Sequence, residues 1–298
     1  MRPIFTQLLG SSSSNVSRHM KTAYPDTLEL RRLVRAAAGD IVVEPGDAHA
    51  GTVGTAFDLL TGFLLIPDHV PLDPPASPVW RPVHALIADS FTEFLHDAIP
   101  ARKDMDEVYQ AVWVLAELTN MVRAGYSNPE GKLATVIREG SGMKALLGIT
   151  PPDGIRQLRE LEAVATEHLY PHVHDAQSQV SFPGVSAIVQ AEADLLDDTL
   201  LMDLKTNAGA PHKTTGARAY FPTATDIHQL LGYALMDTPD GHGIEAVGLY
   251  AARYGLSSIW EVPQLLGITA GGHAVNIDAA RASFRFALEA DYEAANAR

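Results

Sequence analysis

Gln190-Ala-Glu-Ala-Asp-Leu-Leu-Asp-Asp-Thr-Leu-Leu-Met-Asp-Leu-Lys205 holds two apolar runs separated by the acidic pair Asp197–Asp198. An acidic turn between apolar runs predicts a β-hairpin. With the loop centred on that pair, Leu196 faces Thr199, Leu195 faces Leu200, Ala193 faces Met202 and Glu192 faces Asp203. Side chains alternate across a strand, so one face carries Gln190, Glu192, Asp194, Asp203 and Lys205. The other carries Ala191, Ala193, Leu195, Leu200, Met202 and Leu204 and reads as core. Carboxylates on adjacent strands repel unless a cation sits among them. Oxygen donors of this kind suit a hard divalent ion, Mg2+ or Mn2+.

Lys205 has a chemical use beside such an ion. An ammonium there can orient a water and neutralise charge growing on a phosphorane-like transition state. Around the hairpin the chain changes texture. Upstream, helical spacing over Leu28–Ala38, Gly54–Leu65, Pro82–Ile99, Met105–Ala124 and Gly154–Leu169 is joined by Pro-rich loops, among them Pro67–Pro82. Gly125 is placed to stop the fourth of these helices. From about Val180 short β-rich runs take over: Val185–Leu195, Thr199–Thr206, Ile244–Tyr254 and Ser258–Val262. A helix over Thr223–Met236 interrupts them, and another over Ile277–Ala295 follows. The expected organisation is a helical region over 1–175 and an α/β core over 176–298, in one compact unit.

Gln229 and Tyr233 lie four apart on the Thr223–Met236 helix, hence on one face. Thr223 and Asp226 form a capping-box start that brings the helix in just after the second strand of the hairpin. Glu117 sits in the apolar run Val112-Trp-Val-Leu-Ala-Glu-Leu, where a buried carboxylate needs a partner. It is either an extra metal ligand or half of an ion pair with Arg123, and Asn120 shares its face.

Asp194 followed by a hairpin and Asp203-Leu204-Lys205-Thr206 resembles the signature of the PD-(D/E)XK nuclease superfamily. Gln229 and Tyr233 in His-Gln-Leu-Leu-Gly-Tyr resemble the Q-x-x-x-Y helix of its RecB-like branch. Gly54-Thr-Ala-Phe-Asp58-Leu-Leu resembles that branch's first-motif helix, with Asp58 at or beside the position of the usual histidine. The resemblance covers Asp194–Gly255 well and Gly51–Leu65 weakly. It implies a nuclease-like core, a mixed central sheet flanked by helices. It implies Asp194, Asp203 and the Leu204 carbonyl as ligands of Mg2+ or Mn2+, to which the hairpin face and the apolar helix add Glu192 and Glu117 as further candidates. Lys205 would serve the attacking water. Gln229 would hold the site or the nucleic-acid backbone, and Tyr233 and Arg253 are further candidates for contact with substrate.

The implied reaction is metal-dependent hydrolysis of phosphodiesters, DNA before RNA. A nuclease fold that only binds or assembles is the alternative, as is a small-molecule metal phosphoesterase, which a formal charge of −14 would suit. That charge argues against a protein that coats nucleic acid non-specifically, though not against a local site. A nucleic-acid enzyme would need Arg123, Lys213, Arg218 or Arg253 near its site.

Absent residue types narrow the field further. With 0 Cys, disulfides, thiolate zinc sites, iron–sulfur clusters and cysteine nucleophiles are excluded. His168, His172 and His174 have no fixed ligand geometry across Pro171. Gly51-Thr-Val-Gly-Thr lacks the Lys-Ser/Thr of a phosphate-binding P-loop, and no Gly-x-Ser-x-Gly elbow occurs. Apolar runs are short and no cleavable leader is apparent, so no membrane partner and a cytoplasmic address are expected. Ser11–Ser14 reads as a flexible joint or a phosphate-contacting loop.

Overall fold

The computed structural model describes residues 2–71, 81–101, 103–123, 131–238 and 240–297, without the side chains of 81–84, 122 and 123. Gly125, most of the Pro67–Pro82 connector and the Arg123 side chain proposed to pair with Glu117 lie outside that description. The elements in chain order are α1 (Phe5–Gly10), α2 (Asn15–Ala23), α3 (Leu28–Ala37), α4 (Ala50–Leu65), α5 (Arg81–Ala98), α6 (Met105–Arg123), α7 (Lys132–Arg138), α8 (Met143–Leu147) and α9 (Pro152–His168). There follow β1 (Ala176–Ser181), β2 (Glu192–Asp197), β3 (Leu200–Lys205), α10 (Ala224–Met236), β4 (Ala246–Ala251), β5 (Leu256–Glu261), α11 (Val262–Thr269) and α12 (Ile277–Asn296). Among the described residues no helix is long and apolar enough to cross a membrane.

The chain divides into two compact units. One joins residues 1–41 to 174–204 and 209–298; the other holds 42–173 with 205–208. The first unit is built on a five-stranded mixed sheet, order β1-β2-β3-β4-β5, flanked by helices. β1–β2, β2–β3 and β4–β5 are antiparallel. β3 and β4 are neighbours joined through α10, the crossover connection that side-by-side strands need when no hairpin links them.

The hairpin forms with a register two residues from the expected one. Leu195 pairs with Met202, Leu196 with Leu201 and Asp197 with Leu200. The turn is therefore Asp198–Thr199, and Asp198 takes the left-handed conformation (φ 53°) that Asp tolerates better than most residues. Asp197 is drawn into β2, and its Oδ1 accepts from the amides of His174 (3.0 Å) and Asp175 (2.7 Å). Val185–Ile188, expected to be part of the run that leads into β2, is a run of turns. The strand paired with β2 is β1, whose Ala-Gln-Ser-Gln-Val-Ser lacks a strong apolar alternation.

Both faces of the hairpin carry buried apolar residues, so the face expected to gather the carboxylates is also part of the core. Leu196 and Leu201, on the same side as Asp194 and Asp203, enter a core with Phe5, Met20, Ile227, Leu230, Leu231, Ala234 and Phe284 from the surrounding helices. Leu195, Met202 and Leu204 on the other side are buried too. Gly248 of β4 makes room for Met202, because a Cβ there would collide with the Met202 sulfur.

The N-terminal segment is part of this unit. The Phe5 amide donates to Gln190 O and the Gln190 amide to Pro3 O, each at 2.9 Å, so the segment runs parallel to the lead into β2. Phe5 then lies against Gly232 of α10, where any Cβ would overlap its ring. Ser14, expected in a loose joint, is the N-cap of α2. In the second unit α4 and α6 pack together, with Val53, Ala56, Phe57 and Leu60 of α4 buried.

Candidate metal and phosphodiester site

Carried one residue beyond the Leu195–Met202 pair, the β2–β3 register sets Asp194, and not Glu192, opposite Asp203. Asp194 Oδ2 accepts from the Leu204 amide at 2.7 Å, which holds its carboxylate at the edge of β3. Asp203 is 1 % exposed. A carboxylate so deeply buried must be compensated. Gln229 supplies part of this: its Nε2 donates to Asp203 Oδ1 at 3.0 Å and approaches Tyr233 Oη at 2.8 Å.

Tyr233 in turn donates its hydroxyl to Glu192 O at 2.7 Å. The chain Asp203–Gln229–Tyr233–Glu192 thus laces α10 to β3 and β2 with two side chains from one helical face. Burial, reinforced by the Asp203 and Asp194 carboxylates, pushes the Tyr233 phenol well above its ordinary range, so it stays a proton donor. Its ring stacks on Phe182 at 5.4 Å with a 10° interplanar angle and tilts against Phe5 at 5.6 Å. Tyr233 was expected to touch substrate. At 2 % exposure it is instead a packed residue that positions Gln229.

Among the described residues no three His, Asp or Glu side chains gather around one point. The expected trio therefore reduces to the pair Asp194 and Asp203, because the shifted register takes Glu192 away from Asp203. The pair still suits a magnesium-type ion, which commonly takes one or two protein carboxylates and fills its shell with water. A backbone carbonyl, such as that of Leu204, is a donor of the same hard class.

Glu117 lies in the second unit. Its Oε1 accepts from Thr52 Oγ1 at 3.0 Å, Asn120 Nδ2 reaches the same hydroxyl at 3.4 Å, and His49 Nδ1 caps the start of α4 through the Thr52 amide at 3.3 Å. His49, Glu117 and Asn120 line a cleft of about 530 Å³ with Trp113, Met121 and Asp153. The Thr52 hydroxyl gives Glu117 a hydrogen-bond partner within its apolar helix.

Arg253 is buried in a short 3-10 turn after β4. Arg218 donates to Gly209 O at 2.7 Å and braces its own loop, on which Lys213 is exposed. At the start of α4, a Cβ on Gly54 would stand 3.1 Å from Thr206 Oγ1, so this glycine allows the residue after Lys205 to approach the helix.

No family model matches the chain, and searches of curated proteins and of solved structures find no match either.

Proposed function

We propose that the chain is a metal-dependent nuclease with a PD-(D/E)XK-like core of RecB-like type, hydrolysing phosphodiester bonds, DNA in the first place. The observation that carries this reading is the pairing of Asp194 and Asp203 on one side of adjacent strands, with Gln229 of the Q-x-x-x-Y helix bonded to Asp203. A chain that buries Asp203 beside the half-buried Asp194 and sets an amide to orient one of them gains little stability from doing so. A cation gives the arrangement a purpose.

A bound Mg2+ or Mn2+ would supply positive charge and an acidified water. The residues of the chain do the rest. Asp194 and Asp203 offer the ligating oxygens. Gln229 fixes the Asp203 carboxylate, and Tyr233 fixes Gln229. Lys205 follows Asp203 by two residues, so strand alternation directs it to the same side, which supports its role in holding the attacking water and countering charge on the phosphate. Water then adds across a P–O bond, leaving a phosphate monoester and a free hydroxyl.

The test is incubation of the purified chain with labelled linear and circular DNA and RNA, in magnesium, manganese or chelator. Cleavage should require a divalent ion. Lys205→Ala should keep ion binding and lose cleavage by about a hundredfold or more; Asp194→Ala should lose both. A parent protein that cuts neither polymer in any metal would replace this reading with that of a binding or assembly subunit.

A further inference from the structure

Residues 1–41 carry six Lys and Arg against three Asp and Glu, a net charge of +3 in a chain whose total is −14. Half of that positive charge is Arg31, Arg32 and Arg35 of α3. At about 100° per residue the three fall within an arc of about 100°, with Glu29 outside it, while Leu30 and Val34 turn to the core. Phe221, just ahead of α10, lies under two of them: the Arg31 guanidinium carbon is 4.3 Å from the ring centroid and that of Arg35 is 5.7 Å. Arg31 Nε also donates to Pro222 O at 2.6 Å.

Among the described residues no carboxylate forms an ion pair with Arg31, Arg32 or Arg35. In so acidic a chain, three neighbouring guanidiniums without a counter-charge repel one another and cost stability. An aromatic ring holds two of them, so less freedom is lost when they take a ligand. Guanidinium forks match phosphate oxygens in planarity and spacing. The charges are strung along a helix flank and not gathered in a pocket, which suits a repeating anion better than a single small phosphate. α3 packs on α10, the helix whose Gln229 holds Asp203.

We propose that the Arg31, Arg32 and Arg35 face of α3 docks the sugar–phosphate backbone of nucleic acid, holding a strand beside the helix that orients Asp203. The choice of nucleic acid over other polyanions rests on the nuclease reading.

The experiment is fluorescence anisotropy of labelled single-stranded and duplex DNA of about 30 nucleotides, with chelator present so that nothing is cut, over a series of salt concentrations. Arg32→Ala with Arg35→Ala should weaken binding about tenfold or more at ~0.1 M salt and lower the slope of log K against log salt by about 1.5 to 2. Arg32→Lys with Arg35→Lys should keep most of the affinity, which separates charge from folding; circular dichroism melts check all three proteins. Equal affinity and slope in parent and alanine variant would overturn the proposal. So would equal displacement of DNA by polyglutamate at matched charge, which would give the face to an acidic protein. The two readings fail separately. A parent that cuts DNA while the alanine variant binds it unchanged loses the docking surface and keeps the nuclease. A parent that binds through this face and cuts nothing keeps the surface and loses the nuclease.

Discussion

Gln229 Nε2 stands 3.0 Å from Asp203 Oδ1, and this one bond ties the buried carboxylate of β3 to the helix that crosses over to β4. Because the acceptor is charged and enclosed, its loss is felt more than that of a surface hydrogen bond. Gln229→Leu should lower stability by about 1–3 kcal/mol in urea titration and should reduce any cleavage as well. An unchanged urea midpoint would mean that Asp203 is satisfied without Gln229.

The carboxylate pair should respond to cations in the folded state. Binding to the native form alone raises stability by mass action, so magnesium or manganese should raise the Tm of the parent. Asp203→Asn keeps an oxygen for Gln229 and removes the charge, and it should abolish the rise while changing the metal-free Tm little. Identical metal responses in the two proteins would move the ion elsewhere.

His69 gives a pH dependence of known sign. It is 5 % exposed in the second unit, its Nε2 has no hydrogen-bond partner among the described residues, and its ring meets Phe63 edge-on at 4.7 Å. Burial and the neighbouring His96 push its pKa from 6.5 down to about 4. Between those values the unfolded chain binds a proton that the folded one refuses, so stability falls as pH drops through that window. Urea titrations at pH 7 and pH 5 should show the parent losing about 2 kcal/mol more than His69→Gln, if nothing else in the site changes. Equal losses would place the parent's acid sensitivity in other groups.

Asp291 of α12 caps α2 from across the sequence. It accepts from Ser14 Oγ (2.6 Å), the Asn15 amide (2.8 Å), Asn15 Nδ2 (2.9 Å) and the Val16 amide (3.0 Å). A carboxylate at a helix N-terminus satisfies orphan amides and opposes the helix dipole. Asp291→Ala should cost about 2–4 kcal/mol, and Ser14→Ala less. The coupling between them in a double-mutant cycle should be positive, and its absence would mean that the two act independently.

The amino-acid sequence determined which residues share each face of the hairpin. Period-two alternation puts Asp194, Asp203 and Lys205 on one side whatever the turn, provided the register moves by an even number of residues. It moved by two: Asp198 could adopt a left-handed backbone, which let Asp197 join β2 and bind the amides of His174 and Asp175. Thr223 with Asp226, and the spacing of Gln229 and Tyr233, were likewise legible, because a capping box and an i, i+4 pair are local geometry.

Tertiary structure decided what those local signals could not carry. Which carboxylate faces Asp203 depends on a turn worth only a few hydrogen bonds, and the choice removed Glu192 from the pair. Tyr233 became a core residue because Phe182 and Phe5, from distant parts of the chain, close over its ring. Residues 1–41 joined the sheet unit through the amides of Phe5 and Gln190 and the carboxylate of Asp291, contacts that span 185 and 276 positions and leave no periodic trace. Alternation and capping are written in neighbouring residues; the partner of a buried charge is set by whatever the folded chain brings to it.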